Sequence, residues 1–191
     1  YYQLIVWDPA EQEIVGGYRF IVCTSENPRH LSTEHYFTFS DKFRKEYLPY
    51  TIELGRSFVQ PSYQSRGNSK SIYALDNLWD GLGALIVLNP KAKYLFGKVT
   101  MYSSYQTVAR NTLIYFLHKY FPDRDRLVTG RHPIDLGLDD PYYERIFTGE
   151  NYVENYHILI QRIREFNENI PPLINSYMNL SPTMRVFDTV E

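Results

Sequence analysis

The chain has 191 residues, 43% hydrophobic and 22% charged, with a formal net charge of -2, which suits one medium domain, or a domain with an extension, around a real core. That balance excludes a disordered chain and removes the basic surface behind non-specific nucleic-acid binding. The single cysteine, Cys23, excludes an intrachain disulfide or a multi-cysteine zinc site, and the longest greasy stretch, Ala84 to Leu88, is far short of the roughly 20 residues a membrane span needs.

In chain order, Tyr2 to Trp7 is rich in strand formers, Asp8-Pro9-Ala10-Glu11 signals a turn, and Ile14 to Thr24 returns as a second strand, so a β-hairpin is predicted. Ser25 to Pro49 is polar and aromatic, with a short helix expected at Ser40 to Leu48, capped by Ser40 or Asp41. A third strand, Tyr50 to Val59, runs into the polar loop Gln60 to Lys70. That loop feeds a helix with Leu75, Leu78, Trp79, Leu82, Leu85 and Ile86 at helical spacing, stopped by Asn89-Pro90. A fourth strand, Tyr94 to Met101, precedes a helix from about Ser104 to Tyr120. Strand, helix, strand, helix after a hairpin predicts a mixed α/β sheet with a right-handed parallel crossover.

Asp123 to Glu150 turns to Asp, Arg, Gly and Pro and reads as a long surface loop with a short ordered piece. An amphipathic helix from Asn151 carries Val153, Tyr156, Ile160 and Ile163 on one stripe. Pro171-Pro172 breaks it, a helical turn is expected at Leu173 to Asn179, and Met184 to Val190 reads as a last strand. The chain is thus divided into a core, residues 1–122, and an extension, 123–191, that completes or caps the same domain. It opens at Tyr1 inside a strand, without an initiator Met or a secretory leader, and ends at Glu191 after a strand-like run. A piece of a longer protein is expected.

The aromatic content is high, 16% with 18 Tyr, which suits clefts with one apolar and one wet side. The most informative stretch is Glu53 to Lys70. In a regular strand Glu53 and Arg56 face opposite ways unless the strand bulges, and Gly55 between them is the residue type that marks a bulge or a close backbone approach. Such a strand leaves amides free for a ligand. Gln64-Ser65-Arg66-Gly67-Asn68-Ser69-Lys70 then supplies a glycine, small polar residues, two cations and a helix N-terminus: either a phosphate cradle or a well-capped surface turn.

ELGRSFVQPSY at Glu53 to Tyr63, LDNLWDGLGALI at Leu75 to Ile86 and YLFGKVTM at Tyr94 to Met101 together resemble the ornithine-lipid and glycine-lipid branch of the GNAT-type N-acyltransferases. Members are often labelled haemolysins, and the autoinducer synthases are distantly similar. The resemblance covers roughly Tyr2 to Tyr120. It implies a GNAT-like fold, a mixed twisted sheet flanked by helices, here lacking the elements that usually precede the hairpin. It also implies transfer of a (3-hydroxy)fatty acyl group from a phosphopantetheine thioester on acyl carrier protein, or on coenzyme A, to the amine of an amino acid such as glycine or ornithine. That is the first step of aminolipid synthesis, with a cytoplasmic location and contact with the inner membrane face. The donor arm would lie along the amides of Ser57, Phe58 and Val59, with its phosphate on the 64–70 loop. That loop departs from the family pattern in having Arg66-Gly67-Asn68-Ser69 where a second glycine or alanine is common.

Roles follow from the chemistry. An amino acid's amine is largely protonated near neutral pH, so attack needs a base, and Glu53 is the candidate, directly or through a water. An amide freed at a bulge near Ser57 or Phe58 would hold the oxyanion. Arg56 would pair with the acceptor's carboxylate or fix Glu53, the plain alternative being an internal Glu–Arg bridge. Tyr102 and Tyr105 are candidates for protonating the leaving thiolate, or mere packing. Arg66, Lys70, Lys91, Lys93 and Lys98 form a candidate landing patch for an acidic carrier protein. Competing readings are an autoinducer-type synthase and a non-catalytic lipid- or carbohydrate-binding module. His118 and Asp123 match an HxxxxD spacing but read as a helix-end contact, and His30, Glu34 and His35 fit no zinc spacing, so no metal is assigned.

Overall fold

A computed structural model describes residues 1–24, 30–64 and 69–191, with the backbone alone for residues 69–72 and 75. In chain order it contains β1 (Tyr2–Asp8), β2 (Glu13–Val22), β3 (Phe37–Phe39), β4 (Thr51–Val59), α1 (Ser69–Leu88), β5 (Tyr94–Gly97), α2 (Thr107–Tyr120), β6 (Val128–Gly130), α3 (Pro141–Ile146), α4 (Tyr152–Glu165) and α5 (Pro172–Leu180). Two compact units result. One comprises Tyr1–His35 with Asp41–Lys98, the other Tyr36–Ser40 with Val99–Glu191.

The first unit is a four-stranded sheet in the order β1-β2-β4-β5. The predicted hairpin forms: Asp8 accepts from the backbone N–H groups of Ala10 and Glu11, an Asx turn, and β1 pairs with β2 from Tyr2↔Phe20 to Asp8↔Glu13. β2 and β4 are antiparallel, β4 and β5 parallel, with α1 as the crossover. α1 buries Ala74, Leu78, Leu82 and Leu85, four of the positions one helical stripe requires. Ile86 stays exposed. The expected helix near residue 40 is a helical stretch that widens into a π turn at Phe43–Tyr47 and tightens into a 3-10 turn at Leu48–Tyr50. Pro49 lies among the first residues of that last turn, where a missing N–H costs least. Cys23 is buried as a thiol.

The second unit packs α2, α4 and α5 around Leu113, Phe116, Leu159, Ile163, Ile174 and Met178. Its two-stranded sheet, β3 with β6, falls in stretches read as loop, because three-residue strands carry no period to detect. The expected last strand is corrected: among the described residues Met184 to Val190 makes only the single bridges Pro122↔Val186 and Pro133↔Val190. Both partners are prolines, which cannot donate, so no ladder extends from them. The stripe on α4 is corrected too, since Val153 is exposed and the buried row is Asn155, Leu159 and Ile163. Asn155 occupies an inward position because its amide is saturated: Oδ1 accepts from Gly149 N–H at 2.9 Å, and Nδ2 donates to the Gly149 carbonyl and the Tyr120 hydroxyl at 2.9 and 2.5 Å. No helix among the described residues is long and apolar enough to cross a membrane.

Candidate active site

The site is set by where β4 loses its neighbours. β4 and β5 pair from Thr51↔Tyr94 to Leu54↔Gly97 and no further, so β5 ends four residues before the predicted Met101. A Cβ on Gly97 would stand 2.4 Å from the Leu54 carbonyl oxygen, so only glycine allows the strands to touch before they part. On the other side Arg19 opposes Gly55 and Gly17 opposes Phe58. Arg56 and Ser57 together face the single residue Tyr18, which is a β-bulge, and Arg56 takes the left-handed conformation, φ 47°. From Gly55 to Val59 the β5 side of β4 has no strand partner among the described residues. The sequence places this bulge within one residue, with Gly55 flanking it.

The register also sorts side chains by face, because directly opposed residues share one. Glu53, Gly55 and Phe58 lie on one face with Ile21, Arg19 and Gly17; Arg56 and Ser57 turn to the other. Glu53 is 1% exposed. Its Oε1 accepts from the Thr33 N–H and hydroxyl (3.0 and 2.8 Å) and the Ser32 hydroxyl (3.3 Å). Its Oε2 accepts from the Tyr1 hydroxyl (2.5 Å) and the Ser32 N–H (3.3 Å). Ser32 and Thr33 are presented by a 3-10 turn, Ser32–His35. Glu34 locks that turn by accepting from Leu31 N–H at 2.9 Å and pairing with Arg44 at 2.9 Å. Burial pushes the Glu34 carboxyl up, but these partners outweigh it and hold it below the ordinary carboxylate range.

Arg56 is exposed and neither bridges nor fixes Glu53, whose oxygens are taken by the donors above; the expected Glu–Arg contact is corrected, because the bulge falls at Arg56–Ser57, after Gly55, and ordinary alternation from Glu53 leaves Arg56 on the opposite face. Ser57 and Phe58 are exposed and Val59 half-buried along the open edge. Of the proposed phosphate loop, Gln64 donates through Nε2 to the Val59 carbonyl, Ser65, Arg66, Gly67 and Asn68 lie outside the described residues, and Ser69 and Lys70 open α1 with side chains likewise outside them. Lys91 and Lys98 are exposed, and Lys93 sits 4.6 Å above the Tyr50 ring.

Tyr102 and Tyr105 belong to the second unit, on the segment before α2. Tyr102 is 80% exposed. The Tyr105 hydroxyl donates to the Asn169 carbonyl at 2.8 Å, and burial, with Glu168 nearby, pushes it up to about 12. A phenol that reluctant is poorly matched to protonating a thiolate. In the same unit a cavity of about 300 Å³ is lined by His118, Asp123 and Asp188 among others. His118 there faces the Phe187 carbonyl at 3.2 Å, and Asp123 accepts from Leu127 and Val128 N–H groups, so the HxxxxD spacing is filled by two separate backbone contacts.

Sequence reasoning missed Tyr1, Ser32, Thr33 and Arg19. Arg19 stacks its guanidinium 4.3 Å from the Tyr1 ring centroid. Its Nε is buried without a hydrogen-bond partner, and it makes no ion pair among the described residues. The available signal was register: once Phe20 opposes Leu54, alternation puts Arg19 on the Glu53 face.

Comparison with known proteins agrees with this architecture. Residues 1–74 match the family model described as an acetyltransferase (GNAT) domain; the fold is GNAT-like, and the resemblance to GNAT-like N-acyltransferases is borne out. Over 99% of its length the chain is 51% identical to a glycine N(alpha)-acyltransferase of Phocaeicola vulgatus and 53% identical to one of Bacteroides thetaiotaomicron. It spans 60% and 58% of those proteins. No solved structure matches the chain significantly.

Proposed function

We propose that this protein transfers a fatty acyl group from a phosphopantetheine thioester to the amine of glycine, forming an N-acylglycine. The parting of β4 from β5 at Leu54↔Gly97, followed at once by the Arg56–Ser57 bulge, carries the reading. It opens a slot one strand wide whose wall is backbone, suited to the amide-bearing donor arm along Ser57 to Val59. The names of the two curated relatives support the acceptor. The donor is an acyl carrier protein, whose acidic surface suits Lys91 and Lys93.

In the reaction the amine nitrogen attacks the thioester carbonyl carbon, the N–C bond forms and the C–S bond breaks. The amide of Ser57, at the bulge on the open edge, takes the developing oxyanion. The ammonium must lose one proton before attack and a second as the amide forms. Glu53 is too enclosed to touch the substrate. The Tyr1 hydroxyl donates to Glu53 and accepts from Ser32 N–H, which leaves one lone pair to receive the first proton while its own passes to Glu53 Oε2. The second proton neutralises the departing thiolate, so no tyrosine acid is needed.

Mass spectrometry of a reaction of the full-length protein with a 3-hydroxyacyl thioester, on carrier protein or coenzyme A, and a panel of glycine, ornithine and serine tests this. N-acylglycine is the expected product, with Tyr1→Phe and Glu53→Gln each lowering kcat by about 10²-fold or more. No N-acyl product from folded protein would refute the reading and favour a binding module.

A further inference from the structure

We propose that Arg19, not Arg56, holds the acceptor's carboxylate, so that the amino acid lies across the Tyr1 ring edge with its amine toward Glu53 and its carboxylate on the Arg19 guanidinium. The inference rests on the acyl-transfer reading above. A free α-amino acid differs from other primary amines by a carboxylate beside the reacting nitrogen, so a site selecting it needs a cation on the face where the proton is taken. Register removes Arg56 from that face and puts Arg19 on it.

Three further observations point to a ligand there. The guanidinium is fixed over Tyr1 at 4.3 Å, and the same tyrosine's hydroxyl is the donor to Glu53, so one ring joins the proton acceptor to the cation. Arg19 Nε is buried with no hydrogen-bond partner, and no described residue accepts a hydrogen bond from the guanidinium, so its charge is uncompensated on this face. Opposite Arg19 the sheet carries Gly55, where an added Cβ would meet only Arg19 Nη2, at 3.9 Å. The ground beside the guanidinium is therefore open. A carboxylate bound there can take two parallel N–H groups of the planar fork, a geometry lysine cannot reproduce.

The test compares glycine with glycinamide as acceptors for the full-length protein at saturating thioester, then repeats it with Arg19→Gln and Arg19→Lys. Glycinamide has the less basic amine, more available as free base, so a preference for glycine reports on the carboxylate. The wild type is expected to use glycine at least tenfold better by kcat/KM. Arg19→Gln should raise the glycine KM about tenfold or more and erase the preference, with the thioester KM within twofold; Arg19→Lys should fall between. Equal use of the two acceptors by the wild type would overturn the proposal without any variant, as would Arg19→Gln with an unchanged glycine KM. No N-acylglycine from the wild type would instead overturn the acyl-transfer reading, and this one with it.

Discussion

The Tyr105 phenol shows how a residue's surroundings decide its chemistry. Its pKa is pushed up to about 12 by burial and by Glu168, against about 10 for a tyrosine in an unfolded chain. The folded state therefore holds this proton more tightly than the unfolded state. Its contribution to stability is fully present below pH 10 and is lost as pH rises toward 12. Urea midpoints measured at pH 9, 10 and 11 should fall across that range, and Tyr105→Phe should flatten the part of the fall that belongs to this group; an identical slope in the variant would contradict it. Glu53 was legible in the sequence as the residue to watch, since it opens the stretch ELGRSFVQPSY that carries the family resemblance and is the carboxylate there that could serve as a base. Its partners were not legible, because Ser32 and Thr33 lie about twenty residues upstream in a stretch without periodicity. The Glu53–Arg56 contact failed for a related reason: three residues apart in a strand, the two share a face only where a bulge falls between them, and this one falls at Arg56–Ser57.

At the scale of elements, Gly97 controls the junction of β4 and β5. Alanine there would put a methyl group 2.4 Å from backbone rather than from a side chain that can swing aside, so the strands must separate locally. Gly97→Ala is expected to lower stability by roughly 1–3 kcal/mol, read by denaturation, and, on the acyl-transfer reading proposed above, to raise the thioester KM more than the glycine KM. The hairpin, β4, α1, α2 and α4 were readable because each has a turn or cap signal and a period long enough to count. Asp8 at the hairpin turn and Asn151, whose side chain accepts from Glu154 N–H, are such signals. What escaped was decided by distant pairing, as in β3 and β6, or by a polar residue in a core position, as with Asn155.

Across the whole molecule, the two units are stabilised by different means. In the first, α1 lays an aliphatic row on the sheet. The second relies on rings: Phe116 is fully buried with Tyr120, Phe147 and Tyr152 at centroid distances of 4.7, 5.4 and 5.6 Å. Phe116→Ala should remove roughly 3–5 kcal/mol and much of the near-ultraviolet circular dichroism, whereas Val153→Ala, at an exposed position of α4, should shift stability by less than about 0.5 kcal/mol. The units are also threaded through each other in sequence. Tyr36–Ser40 belongs to the second unit while the residues on both sides of it belong to the first, so the polypeptide passes from one to the other three times. A single proteolytic nick at Lys98 therefore cannot yield the second unit whole, because β3 stays on the other piece. On the ribosome the order is imposed as well: Phe37–Phe39 leaves the exit tunnel early and has no strand to pair with until Val128–Gly130 has been translated.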